Sequence, residues 1–175
     1  MNTFNNKQQS GATLIVSLVI LVSLTILGVT SMQATRTEVS MAGNLRESGL
    51  TFNAAEAGLR AAESFVDTSI SKTVYTDPST GLYNKTDEDP NYSDAATWTS
   101  GQNAGTSLAH VSAQPKFVVK YLGDRSQNEV AAVNIGGYGS SQPGMTVSNF
   151  RVTARGVGQT GNSYRYVQSY FGKEF

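Results

Sequence analysis

The side chains able to do chemistry are few, and their spacing matches no catalytic or metal-binding pattern. There is one histidine, His110, and no cysteine. Schemes that need two imidazoles are excluded, as are thiolate metal sites and disulfides. Asp87, Glu88, Asp89 and Asp94 cluster within a short stretch. Carboxylates of this kind can hold Ca²⁺, but the segment lacks the glycine and the closing glutamate of an EF-hand loop. It reads as a solvated acidic loop. His110 stands among small polar residues and reads as an exposed or capping residue. Tyr164, Tyr166 and Tyr170, with Arg151, Arg155 and Arg165, combine the stacking surfaces and cations that single-stranded DNA would use. Antiparallel strands of exported domains often carry Tyr and Arg on a solvent face, so nucleic-acid contact is not expected. No Gly-x-Ser-x-Gly, P-loop or dinucleotide fingerprint occurs, and Gly136-Gly-Tyr-Gly139 lacks the strand–helix context it would need. We therefore expect no catalytic residues, no cofactor and no metal, and read the chain as non-enzymatic.

The whole-chain properties agree. Charged residues make up 15% and the formal net charge is zero, which disfavours broad electrostatic binding to a polyanion. The length, 175 residues, suits one compact domain plus an attached segment.

That attached segment is N-terminal. No charged residue occurs between Lys7 and Arg36. Within that gap Ala12–Thr30 forms an apolar run of about 19 residues, roughly 28 Å as a helix, close to the ~30 Å hydrocarbon core of a bilayer. It exceeds a usual secretory h-region. Residues 1–11 form a short polar leader whose only cation, Lys7, favours a cytoplasmic N-terminus and an exported C-terminus. The run alone also fits a signal anchor, or a signal peptide cut near Gly28 or Ala34. Ser10-Gly11 directly before Ala12-Thr13-Leu14-Ile15 offers a side-chain-free peptide bond at the membrane surface.

Beyond the membrane run the helical pattern continues to about residue 66, with no proline before Pro78. Leu45, Phe52, Ala55, Leu59, Ala62 and Val66 recur at helical spacing as a stripe to lie on a sheet. Glu56 and Arg60 are spaced as an i,i+4 pair. From Asp67 to Gln114 periodicity is lost. Asp77-Pro-Ser-Thr-Gly81 reads as a turn, and Ala95–Trp98 as a short helix or strand. Strand patterns follow at Lys116–Leu122, Val130–Ile135, Val147–Val157 and Ser163–Phe171. In the last, Tyr164, Tyr166 and Tyr170 share one face with Gln168, while Val167 and Phe171 share the other.

The polar leader, the Gly11–Ala12 junction and the uncut apolar run together resemble the class III signal of type IV prepilins. Met41-Ala-Gly-Asn-Leu-Arg46 and Phe52-Asn-Ala-Ala-Glu-Ala-Gly-Leu-Arg-Ala-Ala-Glu63 resemble the N-terminal region of the PilX family of minor pilins, over about Gly11–Glu63. Arg151–Gly158 and Val167–Tyr170 resemble, less specifically, the end of those proteins. The resemblance implies an α+β, pilin-like fold: a long N-terminal helix whose outer half packs on an antiparallel sheet of about four strands. It divides the chain into a leader (1–11), a transmembrane half-helix (12–35), an amphipathic half-helix (36–66), a helix-to-sheet loop region (67–114) and a β-sheet (115–175).

The same resemblance implies cleavage between Gly11 and Ala12 by a prepilin peptidase and N-methylation of Ala12. Leu14, Val16, Leu18, Leu21, Leu24 and Leu27 would belong to the helix that is first a membrane anchor and then a filament core. Family membership implies a minor type IV pilin that promotes pilus assembly, in a priming or tip complex, and so adhesion or twitching motility. Partners would be other minor pilins, the major pilin, the prepilin peptidase and the inner-membrane assembly platform. The subunit would start in the bacterial inner membrane, with its globular domain periplasmic, and end in a surface pilus. Adhesion in some members is linked to a disulfide-bounded loop, which a chain without cysteine lacks. Most pilins carry a glutamate at the fifth mature position; here that position is Val16. A minor pseudopilin of a type II secretion or DNA-uptake machine is the alternative. A single-pass anchor displaying a periplasmic ligand-binding domain is a third reading.

Overall fold

A computed structural model describes residues 10–105, 107–126 and 146–175. The expected strand at Val130–Ile135 lies outside the described residues. The chain falls into two units, residues 1–45 and residues 46–175.

Helix α1, Ser10–Thr68, begins in the first unit and ends in the second. In the first unit every described side chain is exposed. Its hydroxyls turn back onto their own helix: Ser17 Oγ donates to the Leu14 carbonyl at 2.9 Å, Ser23 Oγ to Val19 at 2.8 Å and Thr25 Oγ1 to Leu21 at 2.7 Å. A helix whose polar side chains are satisfied internally can sit in an apolar medium without orphaned donors.

In the second unit α1 lies on a five-stranded mixed sheet. The long strands are β3 (Lys116–Ser126), β4 (Thr146–Val157) and β5 (Tyr164–Glu174), antiparallel in the order β3-β4-β5. Two short strands extend the antiparallel core on the other side of β3. They are β1 (Leu82–Tyr83), parallel to β3, and β2 (Gln102–Asn103), antiparallel to it. The register places Phe117, Val119 and Tyr121 beside Ala154, Val152 and Phe150, and these beside Val167, Ser169 and Phe171. This inner face meets Leu59, Ala62 and Val66 of α1. Alternation of inward and outward side chains along each strand makes such a one-faced core possible.

The helical stripe is shifted from the expected one. Leu45 and Phe52 are exposed, and Thr51 and Ala54 are buried instead. The reason is steric. Gly156 of β4 and Gly158 just after it bring the chain against Thr51, Ala54 and Ala55, where only small side chains fit, so a ring at position 52 is turned outward. Glu56 and Arg60 do not come within ion-pair distance; among the described residues the ion pairs join Lys72 to Asp124 and Asp89 to Lys120 and Arg151.

The aperiodic segment between α1 and β3 is also part of the packed structure. Tyr75, Leu82 and Trp98 are buried. The Tyr75 ring packs 4.7 Å from that of Phe150, and its hydroxyl donates to Ser69 Oγ at 2.9 Å. The Asp77–Gly81 turn is a single 3₁₀ turn ended by Gly81 at φ 76°, a conformation glycine adopts without strain. Ala95–Ser100 forms helix α2, capped by the Asp94 carboxylate accepting from the Ala96 amide at 3.0 Å. At the other end of the chain, the Lys173 ammonium donates to the carbonyls of Val66, Asp67 and Ser69. A cation there meets the last carbonyls and negative dipole end of α1.

Candidate functional site

Two surfaces carry the residues singled out from the sequence. The first is the apolar stretch of α1. Gly11 and Ala12 lie in its first turn, and Leu14, Val16, Leu18, Leu21, Leu24 and Leu27 follow, each more than half exposed. No ionisable residue interrupts the helix before Arg36. It is one helix long and apolar enough to cross a membrane. An exposed apolar surface of this size is unfavourable in water and calls for lipid or protein around it. The valine at position 16 leaves this surface without a carboxylate.

The second surface is the outer face of the sheet. Here the register puts cations directly opposite each other: Lys120 faces Arg151, and Lys116 faces Arg155. Like charges at opposed strand positions repel. At the first pair the repulsion is relieved by Asp89, whose Oδ1 accepts from the Lys120 ammonium and lies 3.0 Å from the Arg151 guanidinium. Lys120 is itself buried and also donates to the Asp87 carbonyl at 2.9 Å. These hydrogen bonds, that from Lys120 first and then that from Arg151, hold the Asp89 carboxyl below the usual carboxylate range.

The acidic loop is therefore not simply solvated. Asp89 binds the sheet, Asp87 accepts from the Asn84 amide at 2.7 Å, and Asp94 caps α2. Among the described residues no cluster of three metal-ligating side chains forms. His110 is exposed with φ 62°.

The tyrosine–arginine set is divided by the strand alternation. Arg151, Arg155, Tyr166 and Tyr170 share the outer face, where Tyr166 stacks on Trp98 with centroids 5.1 Å apart. Arg165 points to the other side and donates to Ser48 Oγ of α1 at 2.9 Å. What sequence reasoning missed is the role of the loop as the cover of this face. The acid–proline pair at Asp89 was the one available signal, and nothing local specifies its partners.

Comparison with known families matches residues 10–60 to the PilX N-terminal model and residues 71–173 to the model described as type IV pilus assembly protein PilX C-term. No curated protein and no solved structure matches the chain. The two family models cover nearly all of the described helix and sheet, and the fold is the α+β arrangement of a long N-terminal helix with a sheet. The chain belongs to the PilX family of type IV pilus minor pilins.

Proposed function

We propose that the chain is made as a prepilin, cut between Gly11 and Ala12 and N-methylated at Ala12. The mature subunit is a structural pilin that promotes pilus assembly as part of a priming or tip complex, and through the pilus affects adhesion or twitching motility. The observation that carries this reading is the exposed helix surface from Ala12 to Thr35, which has no ionisable side chain and directly follows Gly11. In the inner membrane that surface faces lipid, with the sheet-bearing unit in the periplasm; in a filament it faces the helices of neighbouring subunits. Its partners are then other minor pilins, the major pilin and the assembly platform.

The N-terminus and mass of the protein, made with and without the prepilin peptidase, test the first step. A mature chain beginning at methylated Ala12 is expected; an uncut chain, or a cut near Gly28, would sink the reading. Recovery of the mature subunit with pilins from sheared surface filaments tests the second step. Recovery with a secretion machine instead would place it among pseudopilins.

A further inference from the structure

Of the two opposed cation pairs on the outer sheet face, one holds a carboxylate and the other, among the described residues, does not. Lys120 and Arg151 share the Asp89 carboxylate. Lys116 and Arg155, four residues along their strands, open into a groove of about 420 Å³ lined by Trp98, Thr99, Ser112, Gln114 and Gly161. Among the described residues no acidic side chain lines it. The Arg155 guanidinium lies over two rings, 5.8 Å from the Trp98 centroid and 5.0 Å from that of Tyr164. Its Nε–H is buried without an acceptor among the described residues. Lys116 spends one donor on the Thr99 carbonyl at 3.1 Å and keeps two.

A guanidinium packed over aromatic rings still presents its in-plane N–H groups, the geometry that suits a planar carboxylate. A buried N–H without an acceptor is costly, and so is a like-charge pair across strands. One carboxylate seated between Lys116 and Arg155 would relieve both; at the neighbouring pair Asp89 offsets the like charges, although Arg151 Nε is also buried there without an acceptor among the described residues. We propose that this groove is a docking site for an acidic peptide segment of a partner protein, which inserts an Asp or Glu side chain between Lys116 and Arg155. The internal precedent at Asp89 identifies the chemistry: an extended, acidic, loop-like segment carrying its carboxylate onto an opposed lysine–arginine pair.

Trp98 is the only tryptophan and forms a wall of the groove, so its fluorescence reports on this site alone. The full chain in detergent micelles is titrated with an N-acetylated, C-amidated peptide of the sequence Glu-Asp-Pro-Asn-Tyr, copied from residues 88–92. A saturable change in Trp98 emission is expected. The peptide with Asn in place of Asp and Gln in place of Glu should bind at least about tenfold more weakly, the loss of one charge-assisted, bidentate contact. Arg155→Gln should cause a similar loss, as should Lys116→Gln, which leaves Arg155 and its neighbouring rings in place. Arg165→Gln, on the opposite face, should leave binding unchanged. Failure of the acidic peptide to saturate, equal binding of the neutral peptide, or unaltered affinity in Lys116→Gln would overturn the proposal. Tighter binding of glucuronate or inorganic phosphate than of the peptide would overturn it too, by assigning the groove to a sugar acid or a free anion.

Discussion

Gly156 of β4 runs so close to Ala55 of α1 that a Cβ built on the glycine would stand less than 3 Å from the Ala55 amide nitrogen and the Thr51 carbonyl oxygen. Neither of those atoms can move without breaking the helix. Gly156→Ala should therefore destabilise the sheet-bearing unit by about 3 kcal/mol or more, at or above the upper end of ordinary overpacking. Gly158→Ala should cost less, because the first atom it meets is the end of the flexible Glu47 side chain. Urea unfolding of the full chain in detergent, followed by near-ultraviolet circular dichroism, checks the order. Equal midpoints for wild type and Gly156→Ala would be the contrary result.

Stability should fall in acid through two carboxylates. Asp124 accepts from the Lys72 ammonium and from Ser148 Oγ, both at 2.6 Å, and its carboxyl is pushed down to about 2. Glu47 accepts from the Thr160 amide at 3.0 Å, from the Thr160 hydroxyl and from the Gln159 amide, and is likewise lowered. A carboxyl whose folded pKa lies below its unfolded value, about 4, binds fewer protons when folded. Its contribution is complete above pH ~4 and is lost as pH falls through the folded value. For Asp124 the window is from pH ~4 to about 2. Asp124→Asn should lower stability at pH 7 and flatten the decline below pH 4. An unchanged decline would count against the assignment.

Asp89→Asn should loosen the acidic loop. The change leaves Lys120, 8% exposed at its side chain, and the Arg151 guanidinium without their shared carboxylate. Removing one member of a fully buried pair costs about 3–5 kcal/mol; Asp89 is itself 64% exposed, so about 1–3 kcal/mol is expected here. The double change Asp89→Asn with Lys120→Met should recover part of the loss, because the stranded cation is gone. Limited proteolysis within residues 84–94, compared among the three proteins, reads the effect directly. Equal cleavage rates would refute it.

Val16→Glu tests the place of the subunit in a filament. A carboxylate within the bilayer costs roughly 2.5–3.5 kcal/mol on insertion scales unless a neighbour compensates it. If the lack of that group keeps the subunit at the priming end, the variant should appear more often along the pilus shaft. Immunogold labelling of sheared filaments measures this, and an unchanged distribution would reject the idea.

The most legible parts of the fold are those with short-range periodicity. The apolar run from Ala12, the inward Leu59, Ala62 and Val66, and the alternation of Phe150, Val152 and Ala154 are all readable without coordinates, because helix and strand repeat every 3.6 and 2 residues. Strands β1 and β2, two residues each, have no period to read. They exist because β3 offers them a pairing edge. Tyr75 lies in an aperiodic stretch and Trp98 in a short helix or strand with no readable inward face; both are buried because the sheet is there to receive them.

The sequence by itself determined the class of the protein: an uncharged apolar helix after Gly11, the segment Phe52–Glu63, and a valine at position 16 are properties of consecutive residues. Tertiary structure decided which charges meet. Asp89 and Lys120 lie 31 residues apart, and Glu47 and Thr160 lie 113 apart. Strand register alone sets Lys120 against Arg151 and Lys116 against Arg155. Electrostatic and steric contacts depend on distance in space, and no local pattern encodes that distance until α1 and the sheet have packed.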